Sequence, residues 1–455
     1  MKDKSAASAY VVLGLGLTEL ALLATLGWVP AAHRFPLPGL AVFGAAFVVY
    51  AIAAWRSGSR HASDGERGAD GDGAIEGRDD VRTIWLVAIA MRLVLLPLTP
   101  ELSDDVYRYL WDGHVSLAGI NPYFYPPDAV ELEGLRTAWH HLINNPSVPT
   151  IYPPLAQVAF ILLGLAGSSI VAAKILWLAC DLGTAAVLAG IARDTGRDER
   201  TVLLLYLWAP LLVVEVAWSA HLEPLGLLMM ALAIRCAHRS EGVAAGAALA
   251  VATLTKFAPV AALPALVRHH GWRPLLVFGL AVGVLYLPFA SAGGALFIGL
   301  RTYGEHWWFM KGAFALLEGL AGDPELARQL AGLVVVAVIG WCTRRAFTLE
   351  RSLLWTLGAG MIVTPTLHPW YVLWMLPMAA LRASRAWLLL GGLAFIGYFG
   401  LTGYQETGDW AQPPLARAAL WLPFFLALGF DALRHLTQDA LPGSGQAEAE
   451  VTGKE

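Results

Sequence analysis

The feature that most constrains this chain is a succession of long apolar runs separated by short polar segments. Runs of roughly 17–25 apolar residues are long enough to cross the hydrocarbon core of a bilayer as helices. Charged residues make up 15% of the chain, whereas soluble domains average about 25%. The pattern predicts an all-α polytopic membrane protein, a helical bundle with about 12–13 transmembrane helices. Full spans are predicted near 9–29, 38–55, 82–99, 170–192, 201–218, 224–238, 274–290, 326–343, 350–367, 369–381, 386–402 and 414–433.

Basic residues predict the orientation of these spans. With the N-terminus placed in the cytoplasm, the inner segments carry 21 lysines and arginines and the outer segments carry 7. Cytoplasmic loops of membrane proteins are enriched in these two residues. We therefore expect both termini in the cytoplasm.

Two apolar segments are expected not to span. Residues 154–167 are too short and are predicted to form a helix at the outer interface. Residues 243–267 begin and end beside basic clusters, so both of their ends are expected inside. They are predicted to form a re-entrant pair of short helices with a break at Lys256–Pro259. Broken backbone at membrane depth is tolerated where it lines a cavity.

Composition and spans divide the chain into five predicted parts. Residues 57–81 and 435–455 are polar and are predicted to be disordered on the cytoplasmic side. The other three parts are an N-terminal transmembrane hairpin (1–56), a main membrane domain (82–402, with a long outer loop at 100–169) and a C-terminal transmembrane helix (403–434).

The outer loop opens with two adjacent acids, Asp104 and Asp105. Apolar residues at helical spacing predict an amphipathic helix over 104–118, lying on the membrane surface. One interpretation is structural, because Ser103 suits an N-cap and acids in a first turn complement the helix dipole. The other is chemical. Adjacent carboxylates beside a low-dielectric boundary raise at least one pKa, as a general base requires.

Further motifs follow the acidic pair in a fixed order. The outer loop continues with Tyr-Arg-Tyr, Asp-Gly, Asn-Pro-Tyr and Tyr-Pro-Pro-Leu. Downstream lie Trp-Ser-Ala-His-Leu-Glu (218–223), Leu-Thr-Lys-Phe-Ala-Pro (254–259) and Leu-His-Pro-Trp-Tyr-Val-Leu-Trp (367–374). With these motifs the chain resembles the GT-C glycosyltransferases, and among them the bacterial polyprenyl-phosphate-mannose-dependent mannosyltransferases. The resemblance covers roughly residues 82–402, which it identifies as the catalytic domain.

The resemblance implies an activity and a location. It implies a bacterial plasma (inner) membrane enzyme that transfers a sugar, expected to be mannose, from a polyprenyl monophosphate to a glycolipid or glycan acceptor. Transfer is expected on the extracytoplasmic side, with inversion at the anomeric carbon. An aspartate of the first outer loop is the catalytic base in such enzymes. That aspartate maps onto the pair, with Asp104 favoured over Asp105.

Other residues are expected to bind the two substrates. A lysine deep in an apolar stretch is a functional candidate, although snorkelling to a head group is the alternative. The ammonium of Lys256 would stabilise a leaving phosphate. His368 is either a phosphate ligand or a cap beside an aromatic belt. The expected donor-phosphate ligands are Lys256, His368, Arg108 and Arg301, and the expected acceptor or sugar ligands are His221, Glu223, Tyr107, Asn121, Tyr152 and Tyr371.

Two other functional classes fit parts of the pattern. A transporter or flippase for lipid-linked saccharides would place its charges near the midplane in paired broken helices. A ligase or polymerase using pyrophosphate donors would need an arginine-rich outer loop, but residues 100–169 contain only Arg108 and Arg136 against seven acids. No cofactor is expected, and His221 with Glu223 makes a poor metal site without a third ligand. The net charge of −4 does not suggest a nucleic-acid partner.

Overall fold

The computed structural model describes residues 2–27, 36–64, 71–408 and 412–439. Within these ranges the protein is helical and has no β-strand, which confirms the all-α prediction. The α-helices are α1 (Lys2–Leu26), α2 (Pro36–Asp64), α3 (Gly71–Leu95), α4 (Asp105–Leu117), α5 (Pro154–Leu165), α6 (Ile170–Asp194), α7 (Glu199–Leu207), α8 (Pro210–Val213), α9 (Glu223–His238), α10 (Gly242–Thr253), α11 (Leu263–His270), α12 (Arg273–Tyr286), α13 (Ile298–His306), α14 (Phe314–Ala321), α15 (Pro324–Arg344), α16 (Leu349–Val363), α17 (Leu376–Arg382), α18 (Arg385–Leu393), α19 (Leu401–Thr407) and α20 (Pro414–Asp439). Shorter helical segments are the 3-10 turns Val130–Leu135, His140–Leu142, Ala258–Ala262, Leu287–Phe297, Pro369–Met375 and Ala394–Gly400, and the π-helix Val214–Trp218.

Fewer helices than predicted are long and apolar enough to cross a membrane. Within the described ranges these are Leu37–Ser57, Ile170–Asp194, Arg273–His306, Pro324–Arg344 and Pro414–Leu433. A sixth span results if Glu199–Leu207 and Pro210–Trp218, bent by 54°, are counted together. The polytopic fold is confirmed, and the number of 12–13 spans, which includes apolar runs divided into shorter helices, stays a prediction. Proline lacks the N–H that continues a helix, so it divides several apolar runs into shorter pieces, as Pro210 does after α7.

The two segments expected not to span are short helices in the structure. Helix α5 has 12 residues. The 243–267 region consists of α10, a 3-10 turn at Ala258–Ala262 and α11. The backbone leaves the α-conformation around Lys256, where the break was predicted.

The predicted disordered segments are corrected at their edges. Helix α2 continues to Asp64 and α3 begins at Gly71, so much of 57–81 is helical, while residues 65–70 lie outside the described residues. Helix α20 extends to Asp439, and the rest of the predicted tail also lies outside them. Helical hydrogen bonding propagates past the end of an apolar run when the next residues tolerate it.

The helix predicted over 104–118 forms, but it does not expose its polar side. Both Arg108 and Asp112 on α4 are buried. Arg108 donates to the carbonyl oxygen of Val148 (2.8 Å), and Gln157 donates to Asp112 (3.0 Å). The helix is therefore confirmed with its polar face covered by the remainder of the outer loop and α5, and its position at the membrane surface stays a prediction.

Close approaches at two glycines bring the segments of the site together. A Cβ atom on Gly113 of α4 would lie 2.0 Å from the carbonyl oxygen of Phe160 in α5. One on Gly226 of α9 would lie 2.1 Å from the ring of Trp374. Glycine is the residue that permits such contacts. They hold α4 against α5, and α9 against the Pro369–Met375 turn.

Candidate active site

The two adjacent aspartates stand at the start of α4. Asp104 occupies the N-cap position, yet its side chain makes no capping hydrogen bond. The side-chain nitrogen of Asn144 instead donates to both carboxylates, at 2.8 Å to Asp104 and 2.7 Å to Asp105. The hydroxyl of Tyr404 lies 3.4 Å from the second oxygen of Asp104. Both aspartates line a cavity, so a purely capping role does not account for them.

The electrostatic surroundings of Asp104 suit a general base. Burial raises the pKa of this carboxyl to about 6, and the charge of Asp105 adds to the rise. The hydrogen bonds from Asn144 and Tyr404 oppose it. A base functions best when its pKa lies near the working pH, because it is then both ionised and basic.

The cavity has a volume of about 860 Å³ and is lined by both polar and apolar residues. Besides the aspartates, it is lined by five of the residues predicted from the sequence: Arg108, Tyr152, Lys256, His368 and Tyr371. Apolar lining residues come from α13, α15 and α16, through Leu300, Val335, Leu357 and Met361. A pocket of this kind suits a ligand with a charged head and an apolar chain.

Lys256 lines the cavity as part of an ion pair. Its ammonium contacts the carboxylate of Glu223, which is fully buried behind it. It also lies 4.7 Å from the ring centroid of Tyr371. The hydroxyls of Tyr371 and Tyr303 are 2.5 Å apart. Glu223 therefore orients the lysine rather than forming the cavity wall.

His368 belongs to a stack of four rings. Its imidazole lies between Phe309 (4.9 Å between centroids) and Trp370 (4.5 Å), and Trp370 in turn stacks on His221 (4.2 Å). Burial lowers the pKa of His368 to about 3, with Lys256 and His221 adding to the effect. The ring is therefore neutral at physiological pH, and it can donate a hydrogen bond to an anion without adding charge.

Arg108 is tied into the wall of the cavity by local bonds. Its Nε donates to Asp112 at 3.0 Å, one helical turn further along α4. Because this charge is already paired, Arg108 contributes less net positive potential to the cavity than an unpaired arginine would.

Five predicted residues are absent from the cavity wall, namely Glu223 behind Lys256 and the four described next. The side chain of Asn121 donates to the carbonyl oxygen of Phe289 (3.0 Å), which fixes a loop. Tyr107 packs against Trp139, and Arg301 is exposed on α13. His221 is fully buried beneath the aspartates, with its Nε2 3.9 Å from Asp105.

Several residues at the site were not found from the sequence. Asn144 and Tyr404 lie in segments without a distinctive pattern, and only folding brings them to the aspartates. Glu215, which is hydrogen-bonded to His221 at 2.8 Å, did carry a signal. It is an acid inside an apolar run, and such residues are functional candidates by default. Among the described residues, no group of three or more His, Cys, Asp or Glu is arranged to hold a metal ion.

Sequence comparisons relate the chain to known mannopyranosyltransferases. A family model described as "Alpha-(1->6)-mannopyranosyltransferase, N-terminal domain" matches residues 7–270. Alpha-(1->6)-mannopyranosyltransferase A of Mycobacterium tuberculosis (strain ATCC 25618 / H37Rv) is 24% identical over 358 residues, which is 68% of this chain and 66% of that protein. No solved structure matches. The region matched by the family model contains the aspartate pair and Lys256, and ends before His368.

Proposed function

This chain belongs to the alpha-(1->6)-mannopyranosyltransferase family, and we propose that it transfers mannose from a polyprenyl monophosphate to a hydroxyl group of a glycolipid or glycan. The observation that carries the proposal is the aspartate pair in a cavity that also has apolar lining residues. A base is needed for the acceptor hydroxyl, and apolar lining residues suit a lipid chain.

The chemical step assigns a role to polar groups that line the cavity. Asp104 takes the proton of the acceptor hydroxyl as that oxygen attacks the anomeric carbon of the donor. The bond from this carbon to the phosphate oxygen breaks, and polyprenyl phosphate leaves with the electron pair. The ammonium of Lys256 and the neutral imidazole of His368 stabilise the negative charge that develops on the phosphate. Attack opposite the leaving group inverts the anomeric carbon.

The proposed reaction takes place outside the cytoplasm of a bacterial cell, at the plasma membrane. Support comes from the distribution of basic residues, which places the loop at 100–169 outside when both termini are inside. The acceptor and the lipid donor then meet at the outer surface of the bilayer.

A deletion strain tests the function in the cell. We expect mass spectrometry to show the loss of mannose from a class of its glycolipids or cell-wall glycans. Wild-type protein should restore that class, and Asp104→Asn protein inserted at the same level should not. Asp128→Asn is the matched control, because Asp128 lies in the same outer loop with an exposed side chain. Unchanged glycans in the deletion strain, or full restoration by Asp104→Asn, would contradict the proposal.

A further inference from the structure

A buried histidine–glutamate pair lies directly behind the aspartates. Nδ1 of His221 is 2.8 Å from Glu215, whose other carboxylate oxygen accepts a hydrogen bond from Tyr398 (2.6 Å). His221, Glu215 and Tyr398 are all buried. The opposite ring nitrogen of His221, Nε2, makes no hydrogen bond with any described residue and lies 3.9 Å from the carboxylate of Asp105.

The backbone around this pair is built in an uncommon way. Glu215 lies on the π-helix Val214–Trp218, and Ala220, next to His221, has φ +61°. π-helical turns occur frequently at functional sites, and a left-handed alanine costs conformational energy. The segment also directs the His221 amide to the carbonyl oxygen of Glu215 at 3.0 Å. Backbone and side chains together fix the direction of the imidazole toward Asp105.

We propose that His221 is a positioning residue whose imidazolium, held by Glu215, faces Asp105 and keeps the aspartate pair doubly ionised. This inference rests on the proposed function, in which Asp104 must be ionised to accept a proton. Two adjacent carboxylates repel each other and tend to retain one proton between them. A cation on the protein side of Asp105 offsets that repulsion and leaves the cavity side of Asp104 open to the acceptor.

The charges around His221 favour its protonated form. The groups facing it are Glu215 on the π-helix, Asp105 on α4, Glu223 on α9, Tyr398 beyond Glu215, and His368 through the ring stack. Burial lowers the pKa of His221, but the hydrogen bond and charge of Glu215, followed by the charges of Glu223 and Asp105, outweigh it and raise the pKa above its ordinary value. His368 is neutral and so does not oppose the cation.

This role differs from the acceptor-binding role predicted for His221 from the sequence. An acceptor ligand would line the cavity, and His221 is not among the lining residues. The two roles also differ kinetically. Loss of an acceptor contact raises the KM for the acceptor, whereas loss of the imidazolium changes the pH at which the aspartates ionise.

The test compares His221→Gln and Glu215→Gln with wild type over a range of pH. In both variants, the pH at which kcat falls on acidification should be about 1–3 units higher than in wild type. One opposite charge at 4–6 Å usually shifts a pKa by this amount. Glu215 does not contact the aspartates, so a shift in the Glu215→Gln variant shows that Glu215 acts on them by keeping His221 protonated. The matched control is His238→Gln, which removes a histidine paired with Glu350 (3.2 Å) elsewhere in the protein. This variant should leave the pH dependence of kcat unchanged. Two results would overturn the proposal: a fall in turnover that is equal at all pH values, or a raised KM for the acceptor with an unchanged pH dependence of kcat.

A second readout does not depend on transfer. Infrared difference spectra of the purified protein report protonated carboxyl groups, and subtracting spectra of Asp104→Asn and Asp105→Asn assigns the bands. In wild type the pair should gain its first proton near pH 6, and in His221→Gln about 1–3 units higher. Equal titration in both proteins overturns the role of His221 even if transfer is observed. Lack of transfer in wild type, with the spectral shift present, would instead count against the proposed function alone.

Discussion

The two ends of α9 lie at acidic side chains in opposite circumstances. Its first residue, Glu223, lies beside the cavity, and its last, His238, lies about 22 Å away at 1.5 Å per residue. At that far end Glu350 contacts Arg197 (2.8 Å), His238 (3.2 Å) and Arg382 (3.4 Å). We refer to these four residues as the Glu350 cluster.

The aspartate pair is surrounded differently. In the described part of the chain, no lysine or arginine lies within ion-pair distance of Asp104 or Asp105. Asn144 and Tyr404 donate hydrogen bonds to the pair, and His221 is the nearest group able to carry positive charge.

The contrast separates charges that hold helices together from charges available to a substrate. The Glu350 cluster joins α9, α16, α17 and the turn before α7. The carboxylate of Glu350 contacts the three basic side chains of the cluster. The aspartates accept hydrogen bonds from the neutral side chains of Asn144 and Tyr404, and they line the cavity. The difference predicts that variants at one end change turnover and variants at the other change stability.

The largest expected effect is on turnover in Asp104→Asn. This change preserves size and removes basicity, and a positioned base contributes about 10²–10⁴-fold. We expect kcat to fall at least about a hundredfold, with donor binding nearly unchanged. Asp105→Asn should cost less, because Asp105 does not take the proton. The measurement is single-turnover transfer by purified protein. Turnover close to wild type in both variants would show that the aspartates have only a structural role.

The next largest effect is expected for Lys256→Ala. Loss of a group that stabilises developing charge costs about 10²-fold in kcat. Because the ammonium meets the phosphate before and during reaction, donor binding should weaken as well. The variant also leaves Glu223 buried without its cation, so the double variant Lys256→Ala/Glu223→Gln is the control. A double variant with wild-type turnover and donor affinity would show that the lysine serves only its buried partner.

At the other end of α9, Glu350→Gln should affect stability instead of chemistry. It leaves three cationic groups without their common acid, and losing such partners costs about 1–3 kcal/mol where the groups are partly exposed. Thermal unfolding of the detergent-solubilised protein should shift to lower temperature. Turnover per folded molecule should stay near wild type. A large loss of turnover without loss of stability would remove the distinction between the two ends.

Turnover should depend on pH through the aspartates. The raised pKa of Asp104, about 6, means that the base gains a proton as the pH falls through this value. Turnover should therefore be constant above about pH 7 and fall tenfold for each unit well below 6. Stopped assays between pH 5 and 8, with stability checked at each value, would measure it. A flat profile over this range would show that no group with such a pKa acts as the base.

The smallest expected effect is that of chelation. A monophosphate leaving group lacks the pyrophosphate that usually recruits Mg²⁺. We expect EDTA to leave turnover unchanged. Abolition by EDTA and restoration by Mg²⁺ or Mn²⁺ would refute this expectation without refuting the transfer itself.

The sequence predicts the helical membrane fold, and it singles out side chains that the structure places at one cavity. The aspartates, Lys256 and His368 stand out because charge beside or within apolar segments is costly and therefore informative. Asn144 and Tyr404 reach the aspartates across 40 and 300 residues of sequence, and no local pattern encodes such a contact. The division of the apolar runs is harder to predict, because apolar content alone does not show which runs form one straight helix and which form several short ones.

The most direct test of the central claim is transfer by the purified protein reconstituted into liposomes. The substrates would be polyprenyl monophosphate carrying labelled mannose and an acceptor glycolipid. We predict release of one polyprenyl monophosphate for each mannose transferred, with Asp104→Asn at least about a hundredfold slower. Transfer from a nucleotide sugar without the lipid donor, or an undiminished rate in Asp104→Asn, would contradict the account.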